Sequence, residues 1–359
     1  MSEVSKPFHS DEDKRVYDNE YERIFGNSID VEQRFSKPSG PLFEIKEDFF
    51  KKNSNLLEGA LDTNGLYAEQ EARECCKNCG DSVGEPDFES FHIPYSMCGT
   101  CGHLNGVYED TDQFLDKLYS ADDGDNYKEN YLGSYDKRVE SIYTPKVQFL
   151  KDVVGECVVY DVGCGGGHFV KACENEGIQA VGVDPNKSLI ELGKTKLDSN
   201  RIELCGANDF EEFIEGAESV VSMIGVLEHL KEPGRAIEAF NRSKAEYLYI
   251  SVPLFSLSVF IEHAFEDVFP RHLSKAHTHL YTPESLEYMA KKYNLETIGE
   301  WWFGSDMMDL YRSLIVTSEG SDQFRGKLGA VLGDHIDRLQ TVLDENKMCS
   351  EVHLILKKK

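Results

Sequence analysis

Positive charge is what this chain lacks most: 38 Lys and Arg stand against 65 Asp and Glu, a formal charge of −27. An acid excess of that size repels a phosphate backbone, so nucleic acid is not an expected partner. No basic run offers a local exception, because Lys357-Lys358-Lys359 is too short and reads as a solvated end. Long apolar runs are lacking as well. The best candidate, 247–260, is broken by Ser251, Pro253, Ser256 and Ser258. It reads as a buried strand leading into a loop, and no membrane insertion is expected. The N-terminus begins Met-Ser-Glu and stays polar, without the pattern of a secretory leader, so the expected location is cytoplasmic. In that compartment ten cysteines point to a metal or to free thiols, not to a disulfide framework.

What is present divides the chain in three. Residues 1–70 read as an acidic, partly helical extension, with short helices expected at 14–25 and 43–57. Residues 71–110 hold two CxxC pairs. Residues 111–359 alternate apolar strands with helical segments, interrupted by an insertion at about 253–282. Strands joined through helices predict an α/β, Rossmann-like, doubly wound sheet that is mainly parallel. The segment 322–344 reads as one helix and 351–358 as a last strand.

The strongest chemical signal is Val158-Val-Tyr-Asp161-Val-Gly163-Cys-Gly165-Gly-Gly167-His168. An apolar strand ends in an acid, and glycines then let the backbone turn sharply and lie bare against a ligand. The spacing is D-x-G-x-G-x-G, distinct from the G-x-G-x-x-G of dinucleotide sites. A second strand, Ala180-Val-Gly-Val-Asp184, ends in an acid placed to accept hydrogen bonds from both ribose hydroxyls. Asn208 and Asp209 follow a third strand, where they would meet an adenine or simply cap a helix. Tyr127, Tyr131, Tyr135 and Arg138 precede the first strand and would cover the cofactor or form an ordinary packed face.

Cys76-Lys-Asn-Cys79 and Cys98-Gly-Thr-Cys101 form C-x2-C-x18-C-x2-C. Two such knuckles present four thiolates to one tetrahedral Zn²⁺, and a closed shell makes the ion structural. Cys75 and His103 stand by as spare donors. A zinc-ribbon-like module is expected here.

Acid–base candidates cluster later. The insertion carries Glu262-His263, Arg271-His272, His277, His279 and Tyr281. Loops at the carboxyl ends of parallel strands are where open α/β sheets bind ligands. Histidine suits proton removal from an acceptor near neutral pH. His279 is the first candidate base, then His277 and His263, with Tyr281 positioning the acceptor. Glu228-His229 after the fourth strand is either catalytic or a strand-end cap.

The set Asp161-Val-Gly-Cys-Gly-Gly-Gly, Val183-Asp184 and Val226-Leu-Glu-His-Leu-Lys-Glu-Pro233 resembles class I S-adenosylmethionine-dependent methyltransferases. The resemblance covers about 127–358. It implies a seven-stranded sheet whose last strand, Glu351–Leu356, runs antiparallel, and S-adenosylmethionine as cofactor. It leaves the acceptor open, because this fold serves many. A zinc module ahead of such a domain, with the segments 277–286 and 339–353, resembles methyltransferases of sugar modification. That resemblance implies a small polar acceptor, a sugar or nucleotide sugar. Two alternatives stay open: an RNA methyltransferase with a zinc module, against which the charge speaks, and a non-catalytic S-adenosylmethionine-binding scaffold.

Overall fold

The computed structural model describes residues 31–45, 48–120, 134–198, 200–206, 209–273 and 277–359. Its strands are β1 Glu32–Phe35, β2 Phe88–Ser90, β3 Ile93–Met97, β4 Leu104–Gly106, β5 Val158–Val162, β6 Gln179–Asp184, β7 Ile202–Leu204, β8 Val220–Ile224, β9 Tyr247–Pro253, β10 His279–Leu280, β11 Leu295–Phe303 and β12 Glu351–Lys358. Helices used below are α1 Asn53–Ala68, α2 Asp112–Ser120, α3 Thr144–Val154, α4 His168–Asn175, α5 Lys187–Gly193, α6 Pro233–Arg242, α7 Leu257–Ala264 and α8 Pro283–Lys292.

The large sheet runs β1-β11-β12-β9-β8-β5-β6-β7. β12 is antiparallel to both neighbours, while every other pairing is parallel. It therefore has eight strands where seven were expected. The added one, β1, comes from the N-terminal extension and pairs in parallel with Gly299–Trp302 of β11. Its sequence, Glu-Gln-Arg-Phe, is short and polar, as suits a strand that must blunt a sheet edge. Arg34 anchors it: the guanidinium lies 5.4 Å from the Phe149 ring and 5.3 Å from the Trp301 ring, and it bonds Asp152. The expected single helix at 322–344 is two, Asp322–Val331 and Ile336–Glu345, parted by a short turn that begins at Gly333.

Alternation along the strands splits the core into two layers. Val162, Met223, Ile250 and Trp302 face α6 and α8, where Phe240 and Met289 pack. Val159, Tyr249, Trp301 and Ile355 face α3 and α4, where Phe149 and Phe169 pack. Neighbouring Trp301 and Trp302 thus serve opposite layers. Each such side chain contributes roughly 1.5–3 kcal/mol by leaving water.

A second, antiparallel sheet runs β10-β4-β3-β2. Its core draws on four separate stretches: Tyr67 of α1, Ile93, Tyr95 and Leu104 of the strands, Phe114 of α2, and Val259, Leu273 and Leu280 of the insertion. The segment read as an extension and the segment read as an acceptor loop are both parts of this unit. Bonds that tie it to the large one include Lys77 Nζ to Leu230 O at 2.9 Å, Asn78 Nδ2 to Ser285 O at 2.8 Å and Lys292 Nζ to Asn78 O at 3.1 Å. Among the described residues no helix is long and apolar enough to cross a membrane.

Candidate active site and metal centre

β5 ends at the carboxyl edge of the sheet, where the chain turns onto α4. Gly163, Gly165 and Gly167 take φ values of +69°, +53° and +75°. That left-handed region is strained for any side chain. A Cβ on Gly163 would stand 2.6 Å from Val226 Cγ2, and one on Gly167 2.5 Å from Leu197 Cδ1. One on Gly165 would meet only Leu189 Cδ1, at 3.8 Å, so there the backbone lies almost bare.

Asp184 closes the turn from β6. Gly165 N–H donates to its Oδ2 and Asn186 N–H to its Oδ1, both at 2.8 Å. The carboxylate is fixed beside the glycines, and each oxygen keeps a lone pair for a ribose hydroxyl. Burial raises its pKa, against these two N–H donors. Asp161 is 3 % exposed and accepts from Ser222 Oγ at 2.6 Å. Burial, with the charge of Asp184 adding to it, pushes the Asp161 carboxyl up to about 7. A cation beside it would reverse that shift. The bare backbone, the ribose acceptor and this carboxyl fit a nucleoside with a cationic tail.

Tyr135 is buried, and its hydroxyl donates to Gly166 O at 3.1 Å. It stacks with His168 at 4.2 Å, which in turn stacks on Tyr143 at 5.3 Å. Tyr135 and Tyr143 therefore brace the glycine turn. Tyr127 and Asn208 lie outside the described residues. Asp209 makes no capping bond to the helix that follows it; its carboxylate folds over Gly206, where a Cβ would stand 2.4 Å from Oδ2.

The histidines separate into three places. His229 and His277 face each other with ring centres 4.9 Å apart. With Glu228 they bring three ligand atoms within 4.8 Å of one another, a set able to share a proton or hold a cation. Burial pushes Glu228 up to about 8. Burial, then His229 and His272, pulls His277 well below its usual value, so it is neutral at pH 7. His279 is fully buried instead: Nδ1 lies 2.8 Å from His103 Nε2, while its own Nε2 has no partner. Tyr281 is equally buried, 4.7 Å from the His103 ring. These two belong to the joint between the sheets. His263 is exposed on α7 and meets the Phe88 ring edge-on at 5.9 Å, apart from the others.

Cys76, Cys79, Cys98 and Cys101 point their sulfurs inward, all within 4.8 Å of one another. Cys76–Cys101 is 3.7 Å and Cys79–Cys98 is 3.4 Å. Thiolates around a tetrahedral Zn²⁺ sit roughly 3.8 Å apart, given a Zn–S bond of about 2.3 Å. Gly80 and Gly102, at φ +87° and +71°, make the tight knuckle turns. Asn105 Nδ2 reaches Cys76 Sγ at 3.5 Å, and Asp81 N–H reaches Cys79 Sγ at 3.4 Å, donors of the kind that temper thiolate charge. Cys75 is exposed in a neighbouring bridge to Ser82, and His103 bonds His279, so neither joins the cluster.

Sequence reasoning passed over Ser222, Lys37, Lys146 and Glu351. Ser222 was findable as a polar residue in an apolar strand. The other three become neighbours only through the sheet order.

The comparisons with known proteins can be set against this geometry. Residues 135–300 match the family model of a methyltransferase domain. Ubiquinone biosynthesis O-methyltransferases of Coxiella burnetii strains are 31 % identical over 112 residues, 26 % of this chain and 48 % of theirs. The chain thus spans about half the length of the curated relatives it matches. Among solved structures, a SAM-dependent methyltransferase from Archaeoglobus fulgidus is 20 % identical, over 64 % of this chain and 99 % of that one, with a TM-score of 0.40. Magnesium protoporphyrin IX methyltransferase from Synechocystis PCC 6803, with bound SAH, is 13 % identical over 63 % and 84 %, also at 0.40. Residues 135–300 are thus similar to a methyltransferase domain.

Proposed function

We propose that the chain transfers a methyl group from S-adenosylmethionine to a small polar acceptor, a sugar or nucleotide sugar, and that its four cysteines hold a structural Zn²⁺. The observation that carries the cofactor assignment is the bare, left-handed glycine turn with Asp184 bonded across it. Asp184 would hold the ribose, and Asp161 would face the cationic end. The cofactor supplies an activated methyl on a sulfonium; the protein's part is alignment and removal of one proton. His277, neutral and beside Glu228 and His229, is the best-placed base, ahead of the buried His279.

Sugar acceptors are favoured by the polar cluster of Glu228, His229 and His277. A second reading, a phenolic hydroxyl acceptor, is favoured by the similarity to ubiquinone biosynthesis O-methyltransferases. Incubation with S-adenosylmethionine carrying a labelled methyl, against panels of nucleotide sugars and of catechols, separates them. Label in neither panel, with no calorimetric heat for S-adenosylhomocysteine, would remove the enzyme reading.

A further inference from the structure

Two lysines remain outside every role assigned so far. Lys37 follows β1, and Lys146 sits in the first turn of α3. Ser36 N–H donates to Trp302 O at 2.9 Å and Trp301 Nε1 to Ser36 O at 3.0 Å, which pins Lys37 to the carboxyl end of β11. Its ammonium lies 5.1 Å from the Phe303 ring centre. Phe303 pairs with Glu351, the first residue of β12. Lys146 is tied to the same spot from the other side: Tyr249 Oη donates to its carbonyl at 3.4 Å and lies 2.8 Å from His353 Nδ1, whose Nε2 is 3.2 Å from Glu351 Oε1. Lys37 and Glu351 therefore stand at the carboxyl edge of the sheet by β11 and β12, and Lys146 stands between them and the glycine turn, over Tyr143, which stacks on His168.

Neither ammonium makes a hydrogen bond or an ion pair among the described residues; each has only an aromatic face, Phe303 for Lys37 and Tyr143 at 5.3 Å for Lys146. Yet Lys146 is only 6 % exposed. Its ammonium keeps some contact with water, and losing most of that contact without an anionic partner costs free energy. Glu351 is one carboxylate set against two cations; burial opposes its charge, but His353, Lys146 and Lys37 hold its pKa well below the usual range. Asp161 and Glu228, the other acids whose charge Lys146 feels, are pushed upward by burial and so neutralise it poorly. Burial lowers the pKa of both lysines, Lys37 to about 8, so the protein's own groups leave each ammonium short of counter-charge.

We propose that Lys37 and Lys146 form an anion subsite at the carboxyl edge of the large sheet, binding a phosphoryl or carboxylate group of the acceptor. Calling its ligand the acceptor rests on the methyltransferase reading. The subsite gives the N-terminal segment a role in recognition, since β1 delivers one of the two cations. It also selects among acceptors: an anion brings its own counter-charge to the two ammoniums, and a neutral sugar leaves both without a counter-charge.

The test is calorimetry on the full-length, zinc-loaded protein, with and without saturating S-adenosylhomocysteine. The probes are UDP, inorganic pyrophosphate and 4-hydroxybenzoate, against wild type, Lys37→Met, Lys146→Met and Lys37→Arg. At least one probe should bind wild type and lose about tenfold in affinity in each Met variant, the size of one charged hydrogen bond. Lys37→Arg should restore most of it, and S-adenosylhomocysteine should bind all variants alike. The phosphate and benzoate arms tell which anion is preferred. The proposal is overturned if no probe binds, if the Met variants bind like wild type, or if Lys146→Met loses only S-adenosylhomocysteine, which would make that lysine a cofactor contact. Wild type that ignores S-adenosylhomocysteine sinks the methyltransferase reading instead, and the probe titrations then still decide the subsite. Should Lys146→Met fail to melt cooperatively, the half-buried Lys37 pair of variants settles the matter alone.

Discussion

The two proposed binding regions are built in opposite ways. The one assigned to the cofactor is local: Asp161, the three glycines and Asp184 lie within one βαβ unit and are joined by bonds within it. The one assigned to the acceptor is assembled from remote pieces, with Lys37 after β1, Lys146 on α3, Glu228 after β8, His277 before β10 and Glu351 on β12. Local construction makes the first region a fixed motif that can be carried between proteins. Remote construction lets the second change with each insertion or added strand, which is how one fold comes to serve many acceptors.

That contrast can be broken or sharpened by substitution. The largest effect is expected at the cysteines. With structural zinc worth on the order of 10 kcal/mol or more to a small module, Cys98→Ser should abolish stoichiometric zinc and open the β2–β4 sheet to protease. S-adenosylhomocysteine should still bind within a few-fold. Simultaneous loss of cofactor binding would show that the two regions are not separable.

Next in size is the turn itself. Gly167→Ala meets both a left-handed φ and a 2.5 Å approach to Leu197. It should cost roughly 2–4 kcal/mol of unfolding free energy and remove cofactor binding, as read by denaturant melts and calorimetry. A variant that binds normally would refute the cradle. Asp184→Ala should weaken S-adenosylhomocysteine by roughly 1–3 kcal/mol, the cost of lost ribose hydrogen bonds; unchanged affinity would remove its role.

The smallest effect carries a sign that can be checked. Burial holds the Asp161 carboxyl at about 7 against an ordinary 3.8. Between these values the folded protein keeps a proton that the unfolded chain has released. Stability is therefore full below the ordinary value and falls as pH rises toward 7. Asn has no proton to lose. The ligand-free Asp161→Asn protein should be more stable than wild type at pH 8 by about 1 kcal/mol, equal to it near pH 4, and weaker for the cofactor. Equal melting temperatures at both pH values would show that Asp161 is not desolvated.

The same contrast explains what could be read from the sequence. β5 and β6 follow the apolar runs ended by Asp161 and Asp184, where the sequence placed them. The paired CxxC spacing likewise foretold the four inward sulfurs. The eighth strand left no such trace, because Glu-Gln-Arg-Phe has no apolar alternation to betray it. The surroundings of the histidines were not legible for a related reason. Nothing near His279 in sequence shows that His103, far upstream, binds its ring, or that His263 on α7 turns to Phe88.

One small element has a large reach. β10 is two residues long, yet it pairs with Leu104 and Asn105 directly beyond Cys101, and it lies between His277 and Tyr281. The two CxxC knuckles thereby serve as the abutment on which the segment 277–281 rests. On the function proposed above, zinc starvation or thiol oxidation would let that segment sag while the glycine turn stayed whole, leaving a protein that still binds a methyl donor and has lost its grip on what to methylate.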